Sequence, residues 1–291
     1  MGEKLGQNFL VNKEIVKKII EAANLKPDDL VLEIGPGKGI LTEELAKKAG
    51  RIIAVEIDNK LADLLKNKFS TCKNITIIDE DILKINLRQL ISNFEFLISN
   101  QIPISNNLIS KQLKSPKKLQ TNKLRNYKLI ANIPYYITAP IIRKFLESEN
   151  PPSEMILMVQ KEVAERICEK PGKMSILAVS VQYYAQPEML FNVSRENFDP
   201  VPEVDSAVIK IIPHPIPLPK KGEGDFSKEF FRVVRAGFCA KRKMLVNNLS
   251  NSFHLDKKTV EEKLKRVGIS SRARAQELSV DDWKKLAELF F

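Results

Sequence analysis

The chain has 291 residues and 43% hydrophobic content, enough for about two domains at ~150 residues each. Its 47 Lys and Arg against 36 Asp and Glu leave a net charge of +11, an excess that marks proteins meeting nucleic acid or an anionic surface. No apolar run reaches the ~18 residues of a membrane span, residues 1–14 hold no signal-peptide core, and Gly6 stands where a myristoylation signal needs Ser or Thr. Cys72, Cys168 and Cys239 are far apart and odd in number, which argues against a zinc site and for a reducing cytoplasm. His214 lies in a Pro-rich segment and His254 at a helix edge, so the expected chemistry needs neither His nor metal.

In chain order, "LVLEIG" at 30–35 predicts a buried strand and "TEELAKKA" a helix. "RIIAVEID" at 51–58 is a second strand, "KLADLLKNKF" a second helix and "ITIID" at 75–79 a third strand. "KLIANI" at 128–133, "MILMVQ" at 155–160 and "SAVIKII" at 206–212 are further strands, with "APIIRKFLES" and "KEVAERICEK" as helices between them. Such alternation predicts an α/β fold with a parallel sheet and helices on both faces.

Residues 98–128 break the pattern: they hold seven Lys or Arg, no acid and little periodicity, and read as an inserted surface loop. Residues 213–225, with four Pro and two Gly, have linker composition and end a first domain at 212. Residues 226–291 then read as a small helical domain. Val260, Leu264 and Val267 share one face stopped by Gly268, and Trp283, Leu286, Ala287 and Phe290 share another, with Ser279 as N-cap. Phe226, Phe230, Val234 and Phe238 recur every four residues. That spacing turns much of the basic strip Arg232, Arg235, Lys241, Arg242 and Lys243 outward. One or two such charges would be an ordinary solvated face; five without a countercharge point to phosphate contact.

Glu33, Gly35, Gly37 and Gly39 close the first strand. The dinucleotide pattern G-x-G-x-x-G fails, because Ile40 occupies its last position. The spacing acidic-x-G-x-G-x-G is that of S-adenosylmethionine (SAM) enzymes. Glu56, 17 residues after Gly39, closes the second strand, where a carboxylate can accept both ribose hydroxyls. Asp81, just past the third, can accept from an adenine amino group. Each acid alone would be an ordinary loop acid; together with the glycine turn, at successive strand ends, they face one crevice.

"NIPYYIT" at 132–138 follows the next strand into the same crevice. The Asn132 side-chain oxygen and a backbone carbonyl held by Pro134 can accept hydrogen bonds from an exocyclic amine, and Tyr135 can stack on the base. Two acceptors on an adenine N6 aim its lone pair at a methyl donor, so positioning and polarisation can carry transfer without a strong base. The bland reading of these residues, a capping Asn with core tyrosines, is the weaker one beside a SAM-type turn.

"GQNFL" at 6–10, "VLEIGPGKGILT", "AVEID", "NIPYYIT", "MVQKEVAERI", "ENFDPVPEVDSAVI", "FCAKRKMLVNNL" and "RAQELS" occur in this order, and in them the chain resembles the ribosomal small-subunit RNA adenine dimethyltransferases, the KsgA family. The resemblance spans nearly the whole chain. It implies a Rossmann-like methyltransferase fold with a small helical domain. It also implies N6,N6-dimethylation of two adjacent adenosines in the 3′-terminal hairpin of 16S rRNA, within an immature subunit and with SAM as donor. Asn8 and Leu10 match the family's cofactor-covering segment, and Gly35, Glu56 and Asp81 its SAM contacts. Asn132 matches the residue between cofactor and adenine, Tyr135 the stacking aromatic, and Phe198 the aromatic on the base's other face. The insert at 98–128 departs from the family, as do the Pro-rich 213–225 and Met174-Ser175, where the family often has Tyr-Gly. A large-subunit methyltransferase of the erythromycin-resistance type shares the catalytic design, and an assembly factor with little activity is a further alternative. A monomer is expected.

Overall fold

The computed structural model describes residues 8–99, 126–215 and 226–291. The main sheet has seven strands in the order β4-β3-β2-β5-β6-β9-β7. These are β2 Leu30–Ile34, β3 Arg51–Glu56, β4 Ile75–Asp79, β5 Tyr127–Asn132, β6 Glu154–Gln160, β7 Ala185–Val193 and β9 Ser206–Pro213. Strands β2 to β6 pair in parallel, each neighbour reached through a helix: α2 Ile40–Ala46, α3 Asn59–Lys68, α4 Leu87–Ser99 and α5 Thr138–Leu146. All five residues of β2 are buried, as a strand covered on both faces requires. Val31, Ile52, Ala54, Ile77 and Ile130 pack in one apolar cluster with Val16 and Ile19 of α1 (Lys13–Ala23), Leu41 and Leu45 of α2, and Leu65 of α3.

The expected parallel sheet needs one correction. β9 runs antiparallel to β6, with Ser206 opposite Gln160. The stretch from 194 to 205 holds only a 3-10 turn and the two-residue β8 (Phe198–Asp199), so no helix returns the chain to begin a parallel strand. The reversal places the first residue of β9 at the edge where the parallel strands end. β8 pairs antiparallel with β1 (Phe9–Leu10), Leu10 facing Phe198.

Several elements escaped the sequence reading, α1, α4 and β7 among them. α1 is capped by the Asn12 side chain, which accepts the Glu14 N–H, and stops at Asn24 in the left-handed region. β7 lacks an alternating pattern. Of the expected insert, Ile98 and Ser99 end α4, and Tyr127 and Lys128 begin β5; residues 100–125 lie outside the described residues. Of the Pro-rich stretch, Pro213 ends β9 and residues 216–225 lie outside as well.

The chain divides into two units. The first runs to Ala164 and takes up Glu188–Pro213; the second holds Glu165–Pro187 and His214–Phe291. The second unit comprises α7 (Ile176–Tyr184), α8 (Phe226–Gly237), α9 (Leu245–Phe253), α10 (Lys257–Arg266) and α11 (Val280–Glu288), after α6 (Lys161–Ile167). Phe230, Val234 and Phe238 of the four-residue repeat are buried beside Val260, Leu264, Trp283 and Leu286. A side chain at Gly237 would begin 2.3 Å from the Trp283 ring, so glycine lets α8 meet α11. Ser279 caps α11 in a full capping box with Asp282. Met174 packs in this core and Ser175 caps α7 by accepting the Ala178 N–H, which gives both departures from the family's Tyr-Gly a structural role.

Candidate active site

Strand order reverses at β2: the chain moves outward through β3 and β4, then returns to β5 on the other side. Ligands of open α/β sheets bind beyond the carboxyl ends of strands at such a point. A cavity of about 240 Å³ opens there, lined wholly by residues of the first unit. The residues expected on the cofactor side, Asn8, Leu10, Gly35, Gly37, Glu56 and Asp81, and those expected on the base side, Asn132, Pro134, Tyr135 and Phe198, all line it.

Gly35, Gly37 and Gly39 have φ of 64°, 57° and 79°, a region that disfavours side chains. At Gly37 a Cβ would also lie 2.9 Å from the Phe9 ring, so the loop lies tight under the β1 segment. Glu56 is 2% exposed, yet both carboxylate oxygens are engaged: Oε2 accepts the Gly37 N–H at 3.1 Å and Oε1 the Asp58 N–H at 3.0 Å. Burial pushes its pKa up, and these backbone donors oppose the shift. Glu33 is fully buried and its pKa is pushed up to about 8, first by desolvation, with the nearby Glu56 adding to it. Neither Glu33 Oε2 nor the Thr42 hydroxyl makes a hydrogen bond of normal geometry, although the hydroxyl is close enough to moderate that shift. Asp81 caps its own turn, Oδ1 accepting the Leu83 N–H at 2.9 Å, with Lys84 Nζ 3.9 Å from Oδ2.

On the base side, Asn132 Nδ2 donates to the Asn8 carbonyl at 3.4 Å. Among the described residues its Oδ1 has no donor, so the acceptor end of the amide is available. Tyr135 opens a single 3-10 turn after Pro134, and its hydroxyl is 2.9 Å from the Ser206 hydroxyl. Burial raises the phenol's pKa, and the Ser206 bond opposes the shift. Phe198 reaches the cavity wall while burying nearly all its surface in the core. The ribbon carrying it is held by Val11 N–H to the Asn197 carbonyl at 2.9 Å and Asn12 Nδ2 to Asn197 Oδ1 at 2.7 Å.

Sequence reading missed several lining residues. Ile57, Ile82 and Leu83 follow Glu56 and Asp81 and give the cofactor side apolar walls; their position one or two residues past each acid was the available signal. Lys38 reaches Asp199 at 3.7 Å and lies over the Phe9 ring at 4.8 Å. Nothing in the sequence signals the Ser206 contact, which joins residues 71 apart.

In the second unit, Arg235, Lys241, Arg242 and Lys243 are exposed at the end of α8 and in the turn before α9. Asn248 pins that turn, donating to the Gly237 and Ala240 carbonyls at 2.6 and 3.0 Å. None of the five predicted basic residues forms an ion pair among the described residues. Arg232 differs from the others: its guanidinium lies over the Phe253 and Phe291 rings at 5.3 and 5.2 Å. No helix among the described residues is long and apolar enough to cross a membrane, and no three His, Cys, Asp or Glu among them gather as a metal site.

Comparison with known proteins agrees with this fold. A protein from Dehalococcoides mccartyi, "Ribosomal RNA small subunit methyltransferase A", is 41% identical over 97% of this chain and 86% of its own. The protein of that name from Fusobacterium nucleatum is 40% identical over 99% of this chain and 97% of its own. Among solved structures, a dimethyladenosine transferase from Plasmodium falciparum matches with a TM-score of 0.70 at 26% identity, covering 97% of each chain. The 23S rRNA methyltransferase ErmE matches with 0.69 at 27%, covering 97% of this chain and 98% of its own. The sequence profile of the ribosomal RNA adenine dimethylases matches residues 2–290, and the chain belongs to that family.

Proposed function

We propose that the protein transfers methyl groups from SAM to N6 of two adjacent adenosines in the 3′-terminal hairpin of small-subunit rRNA, giving N6,N6-dimethyladenosine. The observation that carries this reading is that both constellations, six cofactor-side and four base-side residues, line one cavity.

When bound, SAM supplies an electrophilic methyl group. The residues present fit it: a glycine loop in the left-handed region, crowded at Gly37 and Gly39, a buried acid for the ribose, and apolar walls after Glu56 and Asp81. Asn8 and Leu10 cover the cofactor. Asn132 Oδ1 and a carbonyl beside Pro134 accept from the adenine amino group and hold its lone pair toward the methyl donor. Tyr135 stacks on the base and Phe198 closes its other side. Arg235, Lys241, Arg242 and Lys243, with Arg232 behind them, grip the phosphate backbone of the rRNA, while the cavity takes the unpaired nucleoside. The protein acts as a cytoplasmic monomer on an immature subunit and uses no metal.

Methylation of purified immature small subunits with labelled SAM, followed by mapping of the label, tests the reading. Label in N6,N6-dimethyladenosine near the 3′ end is the expected result. The likeness to ErmE keeps one alternative in view, and label on large-subunit RNA would support it instead.

A further inference from the structure

Tyr135 and Tyr136 are adjacent in one 3-10 turn, yet their surroundings differ. The Tyr135 hydroxyl is bonded to the fully buried Ser206, and its ring is half-buried. Tyr136 lines the same cavity but is 60% exposed. Among the described residues it makes no hydrogen bond through its hydroxyl and no ring contact. Its backbone is nonetheless fixed. Pro134 precedes the turn, the Ile137 N–H donates to the Pro134 carbonyl at 3.1 Å, and the Thr138 N–H donates to the Tyr135 carbonyl as α5 begins.

A single exposed aromatic is ordinary on a protein surface. What separates Tyr136 is its place. The other large apolar residues exposed along the cavity, Ile57 and Leu83, follow Glu56 and Asp81 on the cofactor side. Tyr136 follows the base-side motif, on a rigid turn at the cavity mouth.

We propose that Tyr136 is a second stacking platform, which receives the nucleobase next to the adenosine being methylated. The inference rests on the reading of the cavity as an adenosine-methylating site. Drawing one nucleotide out of a strand strips its neighbour of a stacking partner, and an aromatic face at the mouth replaces it. Every base has a π face, so the platform accepts any neighbour. The contact needs the ring and not the hydroxyl.

The test compares wild type, Tyr136→Ala and Tyr136→Phe at saturating SAM, with immature small subunits as the varied substrate. Thermal unfolding and SAM calorimetry run alongside. Tyr136→Ala is expected to raise KM for the subunit roughly five- to a hundredfold, the range of one lost base stack, with kcat and SAM affinity unchanged. Tyr136→Phe is expected to keep the wild-type KM. An unchanged KM in Tyr136→Ala overturns the proposal, as does a Phe variant as impaired as the Ala variant. A loss confined to kcat or to SAM affinity also overturns it, because the ring would then serve the inner site. A wild-type enzyme that leaves small-subunit adenosines unlabelled removes the functional reading itself, a result separate from any difference among the variants.

Discussion

The carboxylate of Glu56 accepts the Gly37 N–H at 3.1 Å, so the acid that ends β3 holds the glycine loop that follows β2. On the proposed reading Glu56 thereby has two duties: it would present lone pairs to a ribose, and it keeps the loop in its left-handed turn. Glu56→Ala should weaken SAM binding by about 1.5–3 kcal/mol, the range for hydrogen bonds to a charged group, and should also loosen the loop. Calorimetry checks the first effect and amide exchange at Gly37 the second. Unchanged SAM affinity would take Glu56 out of the site.

Asn132→Ala and Tyr135→Ala should each lose methylation while SAM binding and folding survive. Removal of one well-aimed transition-state contact costs roughly 3 kcal/mol, about a hundredfold in rate. Single-turnover assays at saturating SAM read this directly, and near-wild-type rates in both variants would refute the assignment.

Ser206 fixes the ring of Tyr135 through the 2.9 Å contact between their hydroxyls. Ser206→Ala and Tyr135→Phe should therefore lower kcat by similar modest factors, and the double variant by no more than either alone. Ser206→Thr, which keeps a hydroxyl, should restore the rate. Additive losses would mean that the contact does not position the ring.

Glu33 ties the cavity to pH. Its pKa is raised to about 8 in the folded protein, against 4.5 for the ordinary carboxyl. Below 4.5 the group is neutral in both states and its ionisation adds nothing to the pH dependence. Between 4.5 and 8 the unfolded chain ionises first, so stability falls as pH rises, by a few kcal/mol in all. Glu33→Gln should flatten that part of the stability profile in denaturant titrations. A variant with the wild-type slope between those pH values would show that Glu33 does not titrate there.

Lys241→Glu/Arg242→Glu/Lys243→Glu should weaken binding to immature subunits and reduce the salt slope by roughly two to three, one for each lost phosphate contact. SAM affinity should hold, since the cavity is built from first-unit residues. Normal binding across a salt titration would clear this strip of an RNA role. Arg232→Ala should behave differently, costing thermal stability through its two aromatic neighbours.

Much of this was legible in the sequence because local chemistry announced it. Buried runs ending in Gly, Glu or Asn marked β2, β3 and β5, and a strand's carboxyl end in an α/β sheet is where ligands bind. What escaped depended on distant partners. The reversal of β9 follows from a connection too lean in helix to cross over, and no residue of β9 itself signals it. α7, "ILAVSVQYY", is apolar around much of its circumference, so its periodicity is faint, and its membership of the second unit comes from contacts far along the chain. The second duty of Glu56 and the Ser206 anchor both require knowing which strand ends meet.

The two-residue ribbon of β1 and β8 joins Leu10, on the cofactor side, to Phe198, on the base side. A displacement of one carries the other through the backbone ladder and the Asn12–Asn197 bond. If SAM orders this ribbon, as the proposed function implies, that ordering is already in place when RNA arrives, and the reverse holds equally. Linkage requires the two effects to be identical in size. Whatever factor RNA applies to SAM affinity, SAM must apply to RNA affinity, and Asn12→Ala, which cuts the tie beside the ribbon and removes the cap of α1 as well, should shrink both together.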